Sequence, residues 1–126
     1  MVKLKMQTDS VEDLRLVIEY LELPYLLTIL EINLKKMKDS NFKLSYLFEL
    51  HLIKIQKRVT KDQYQVRQSM KKRGIKVIEQ NEEKDKLTAK YLCRGYMHDV
   101  RLLWSKVRSD TEVRLAEYLD VDITEL

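Results

Sequence analysis

From residue 48 to residue 72 the chain keeps two stripes in phase. At about 100° per residue, the α-helical step, Phe48, Leu52, Ile55, Val59, Val66 and Met70 share one narrow face. They recur in a heptad rhythm with one polar gap. Lys54, Lys57, Arg58, Lys61, Gln65, Gln68 and Lys72 share a second face, flanked by Tyr64 and Arg67. "TKDQ", residues 60–63, matches a capping box and could start a new helix. A turn there would rotate the second piece against the first, and neither Gly nor Pro interrupts the run. The pattern therefore predicts one helix over about 43–73, some 45 Å long at ~1.5 Å per residue. Its first turns add Tyr46, Leu47, Leu50 and Ile53 off the main stripe. That end is expected to be buried on more than one side, with the basic end projecting.

Upstream, Ser10 is placed to cap a helix whose first turn holds Glu12 and Asp13. Leu14, Val17, Ile18 and Leu21 give its buried face. Leu23 precedes Pro24 and is pushed from helical geometry, so this helix is expected to stop or kink there. Pro24 then opens a second helix with Leu26, Leu27, Leu30, Leu34 and Met37 as its stripe. "DSN", residues 39–41, reads as a short polar connection. Gly74 suits the residue after a helix, where a left-handed conformation is needed.

"IKVI" and "LTAKYLC" alternate about the polar "NEEKD", which predicts a β-hairpin over about 75–93. A lone hairpin is marginal in water, so one face must lie on the helices. After Gly95, the spacing of Met97, Val100, Leu103, Trp104 and Val107 predicts a C-terminal helix. "SDTE", residues 109–112, could cap a further one. The expected fold is mainly α: one domain over 1–126, a helical bundle built on the long central helix with a hairpin and a C-terminal helix.

Composition agrees. Of 126 residues, 44% are hydrophobic and 35% charged, and two glycines and one proline leave little turn chemistry for an all-β fold. One cysteine, Cys93, forms no internal disulfide and fits a reducing compartment. "MVKLKMQTDS" lacks the apolar region of a signal peptide, and no apolar run approaches the ~20 residues of a membrane span. A soluble, cytoplasmic protein with no membrane partner is expected. Net charge is +4, unevenly spread. Residues 54–76 hold nine basic groups and one acid, Asp62, while the flanking segments are both slightly acidic.

"LELPYLLTILEINLKKMKDSNFKL", followed by the long helix and "KKRGIKVIE", resembles a group of small uncharacterised proteins from spore-forming Gram-positive bacteria and their phages, the YhjD-like type. The likeness spans about residues 20–120 and rests on apolar spacing. It implies the order helix, helix, long helix, hairpin, helix, and it adds no functional residues.

Catalytic chemistry finds little footing. Cys93, Tyr96, His98 and Asp99 lie close in sequence, and a thiolate nucleophile needs a base within hydrogen-bond reach. Cys93, however, falls on the apolar face of its strand, as a small hydrophobe would. His98 and Asp99 are expected in a first helical turn. Two histidines, His51 and His98, and one cysteine show no zinc-ligand spacing, and no glycine loop cradles phosphate. No catalytic residue, metal or cofactor is expected.

The expected function is macromolecular binding by a non-catalytic protein. Its partner would be another protein or a second copy, paired through the apolar stripe of Phe48, Leu52, Ile55, Val59, Val66 and Met70. The alternative is a nucleic-acid-binding regulator, with phosphates held by Lys54, Lys57, Arg58, Lys61, Gln65, Arg67, Gln68 and Lys72. A winged-helix version would make residues 61–73 the recognition helix and "NEEKD" the wing. Glu82, Glu83 and Asp85 make that wing acidic, which ranks it below a single long helix.

Overall fold

The computed structural model describes residues 10–125. In order it has α1 (Val11–Asp39), α2 (Ser45–Lys72), β1 (Ile75–Glu82), β2 (Lys86–Cys93), β3 (Tyr96–Leu103) and α3 (Trp104–Leu119), then a short 3-10 turn at Ile123–Glu125. The protein is mainly α, with 66% of the described residues helical, and has a three-stranded antiparallel sheet in the order β1-β2-β3.

Of the expected stop or kink at Pro24, the stop does not occur: α1 is a single helix with the proline inside it. Pro24 cannot donate to the carbonyl of Tyr20, and a proline inside a helix costs about 3 kcal/mol. Burial on both sides of it outweighs that. Leu16, Val17, Leu21 and Leu23 before it, and Leu26 and Leu30 after it, are all buried on one continuous face. Each buried leucine returns about 2 kcal/mol, so the two after the proline suffice to keep the helix going. At its start, Ser10 accepts from the Asp13 N–H at 3.1 Å, and Asp13 Oδ2 accepts from the Ser10 N–H at 2.9 Å. This is a reciprocal capping box.

α2 is unbroken through Thr60. Leu52, Ile55, Val59, Val66 and Met70 are buried in one cluster with the leucines of α1. Phe48, the first member of that stripe, is 55% exposed. The expectation that this end is buried on several sides is overturned, since Tyr46, Leu47 and Leu50 are exposed as well. The core stops short of it: α1 has no buried residue after Leu30 and α2 none before Leu52. The paired helices therefore outrun the sheet and α3, and their joined ends project.

Gly74 takes φ +69° after α2, and β1 and β2 form the hairpin. Ile75 and Val77 of β1 face the side of Leu87, Ala89, Tyr91 and Cys93, and a bulge at Ile78 then shifts the register. The chain does not return to helix after Gly95. Arg94 and Gly95 both have positive φ, at 50° and 89°, making the two-residue turn that matches strand twist. β3 pairs with β2 along all eight residues, from Cys93–Tyr96 to Lys86–Leu103. The last helix consequently begins at Trp104, seven residues later than Met97, and "SDTE" lies within it. Trp104 is anchored by its indole N–H, which donates to the Glu83 carbonyl at 2.7 Å.

Candidate binding surfaces

The projecting end is an apolar tip. Phe42, Leu44, Tyr46, Leu47, Phe48 and Leu50 are 40–59% exposed. Local sequence explains how the tip is held. Ser40 ends α1, donating to the carbonyl of Lys36 from its hydroxyl and to that of Met37 from its N–H. Leu44 adopts a left-handed conformation, φ 57°, to start α2. Phe42 and Phe48 meet edge to face at 5.7 Å. Tyr46, Leu47, Phe48 and Leu50 point in different directions around the helix, and a helix apolar on all sides is normally covered. Both charge signs are interspersed here: Lys35, Lys36, Lys38 and Lys43 with Glu31, Asp39 and Glu49.

The basic face of α2 is the second surface. Lys54, Lys57, Arg58, Lys61, Gln65, Arg67, Gln68 and Lys72 are all exposed. The structure divides them. Arg58 turns toward α3, where Nη1 donates to the Tyr118 carbonyl at 3.2 Å and the guanidinium lies 5.1 Å from the Tyr118 ring centre. Asp62, the lone acid of the stretch, accepts from the Tyr118 hydroxyl. Burial first, and then that carboxylate, push the phenol up from its ordinary value. Lys54, Lys57, Lys61, Arg67 and Lys72 have no carboxylate at ion-pair distance among the described residues. Arg67 stands apart from the others, lining a cleft beside Tyr20.

Two internal charge clusters join segments that no sequence motif links. Asp13 is fully buried and receives Arg73 Nε at 2.7 Å and Arg94 Nη2 at 2.7 Å. Burial alone would raise its pKa, but hydrogen bonds from Arg94, Arg73 and Ser10 prevail and hold it far below the usual carboxylate range. Glu22, also fully buried, pairs with Arg114 of α3. Its pKa is pushed up to about 7, by burial first and by the neighbouring Asp110 carboxylate, against the pull of Arg114. Both clusters join residues 60 to 92 positions apart, which no local spacing announces.

Cys93 and His98 are not joined across a helical turn. His98 and Asp99 sit in β3, not in a helical turn. Cys93 is wholly buried, with Sγ 3.6 Å from Asp13 Oδ2. His98 stacks on Tyr91 with ring centres 5.3 Å apart. His51 is exposed on α2. No group of three or more metal-ligating side chains occurs among the described residues, and no helix there is long and apolar enough to cross a membrane.

A family model described as YhjD protein matches residues 8–123. No curated protein and no solved structure shows a significant match.

Proposed function

The chain belongs to the YhjD family, and we propose that it is a non-catalytic binding protein that assembles with a second copy of itself through the apolar tip. The observation that carries this is the exposure of Tyr46, Leu47, Phe48 and Leu50, 50–58% each, on a helix end left bare by the core. Exposed apolar clusters mark interaction sites. Phe42 and Leu44 extend the exposed apolar surface of the tip. Its mixed charges favour a copy of itself, because a two-fold pairing is able to set the lysines at the end of α1 against Glu31 and Glu49. The stripe from Leu52 to Met70 is not free for this role, being covered by α1 of the same chain.

Sedimentation equilibrium tests the proposal. The unaltered protein should have twice the mass of one chain, and Phe48→Lys should shift it to the single mass with unchanged circular dichroism. A single mass at every concentration would reject it.

A second reading is nucleic-acid binding on the basic face. It is supported by the row Lys54, Lys57, Lys61 and Lys72, exposed and, among the described residues, without a carboxylate at ion-pair distance. Binding of a DNA or RNA duplex should then weaken steeply with salt. It should fall again when Lys54, Lys57 and Lys61 become glutamine. Arg58 is left intact in that variant because it is tied to Tyr118. No binding at low salt would end this reading.

A further inference from the structure

We infer that the cleft between α1, the last turns of α2 and β1 binds a nucleoside phosphate. The cleft has a volume of about 570 Å³ and is lined by Tyr20, Arg67, Met70, Lys71, Ile75 and Lys76, with Val77 and Gly74 completing it. That size suits a small ligand. A second recess of about 170 Å³ shares Tyr20 and Arg67 with it and adds Pro24, Gln63 and Gln80.

Arg67, Lys71 and Lys76 bring three cations to the larger cavity, and among the described residues no acidic side chain lines either one. None of the three has a carboxylate at ion-pair distance among the described residues. Cations left unpaired around an apolar floor of Met70, Ile75 and Val77 suit a ligand that is anionic at one end and apolar in its body. Arg67 offers the forked donor geometry that phosphate accepts bidentately, and the two lysines add point charge. Tyr20 lines both cavities, and a tyrosine ring is a platform on which a base stacks.

The recess supplies donors and acceptors for a base edge. Gln63 and Gln80 each carry an amide with both functions, which matches the donor–acceptor edge of adenine. Pro24 contributes indirectly, since it leaves the Tyr20 carbonyl without its helical donor. The bulge at Ile78 has a role here too. By changing the register of β1, it puts Gln80 on the same side as Val77 rather than the opposite one. The site thus uses the two local irregularities of the fold, the proline in α1 and the bulge in β1. It uses a face of α2 distinct from the Lys54–Lys57–Lys61 row, and it does not depend on tip pairing.

The test is a titration of the full chain with AMP, adenosine and inorganic phosphate, followed by amide chemical shifts and calorimetry. AMP should shift Tyr20, Arg67, Gly74 and Gln80 in one saturable event. Adenosine and phosphate should each bind at least about tenfold more weakly, since each lacks one anchor. Lys71→Gln combined with Lys76→Gln should weaken AMP by about tenfold or more, the loss expected for charge-assisted hydrogen bonds. Gln63→Leu should lower AMP affinity while leaving phosphate binding as it was. Both variants alter side chains outside the core, and the wild-type titration is decisive by itself. No shift at millimolar AMP, shifts confined to the Lys54–Lys61 face, or phosphate binding as tightly as AMP would each overturn the assignment. A 5′-phosphorylated oligoadenylate distinguishes the source of the ligand. Tighter binding than AMP at the same residues supports the site as a strand-end pocket; equal binding supports it as a mononucleotide pocket.

Discussion

Arg94, in the turn between β2 and β3, donates to Asp13 in the first turn of α1 at 2.7 Å, although 81 residues separate them. Arg73, at the end of α2, approaches the other oxygen of the same carboxylate at the same distance. One buried carboxylate therefore fastens the start of α1 to the end of α2 and to the sheet, while also closing the helix cap. Removing one partner of such a buried pair leaves uncompensated charge. Asp13→Asn should lower unfolding stability by about 3 kcal/mol, read as a lower urea midpoint. The pH dependence has a definite sign. A carboxylate whose folded pKa is depressed contributes stability in full above its unfolded value of about 4, and that contribution is lost as pH falls below it. The wild type should lose stability in that acid window and Asp13→Asn should lose less, since Asp110 and other carboxylates held below their ordinary values remain.

Glu22 should behave in the opposite way. Its folded pKa is pushed up to about 7 from 4.5, by burial first and by Asp110. The folded state therefore holds a proton that the unfolded state releases between those values, and stability falls as pH rises through the window. Glu22→Gln mimics the protonated form. Relative to wild type, the variant should gain about 2 kcal/mol between pH 5 and pH 8. Urea unfolding at the two pH values checks this, and a pH-independent difference would count against a titrating Glu22.

Pro24 lies inside α1 on an exposed position, with its cost offset by neighbouring leucines. Pro24→Ala restores the donor to Tyr20 but also frees the unfolded chain. The net expectation is a gain of about 1–2 kcal/mol, seen as a higher thermal midpoint.

Cys93 is fully buried between the sheet and α1. Its thiol should resist a thiol-specific reagent in the native protein and react with one equivalent once urea unfolds the chain. Rapid native labelling would mean that β2 opens readily.

Much of this fold could be read from residue order. α2 and the β1–β2 hairpin announce themselves because their periods, 3.6 and 2, persist over many residues without a breaker. β3 was hidden because two periods coexist in it. Met97, Val100 and Leu103 satisfy a helix, whereas Tyr96, His98, Val100 and Leu102 satisfy a strand face. The deciding signal was the turn: Arg94-Gly95 at positive φ joins two alternating runs. Pro24 misled for another reason, since the local preference of Leu23 was overruled by burial that depends on α2. The tip reading failed similarly. Apolar residues around a whole helix end predict burial, and only the positions of the sheet and α3 show that, among the described residues, none covers them. The candidate cleft was the least legible, because Tyr20, Arg67 and Gln80 meet only after three elements pack together.

Cross-linking at the tip tests the pairing most directly. A cysteine introduced by Leu47→Cys should form an intermolecular disulfide rapidly under mild oxidation, giving a dimer on non-reducing electrophoresis, while Lys84→Cys in the distant β1–β2 turn should not. If Leu47→Cys stays monomeric under those conditions, or links no faster than Lys84→Cys, the tip is not where two copies meet.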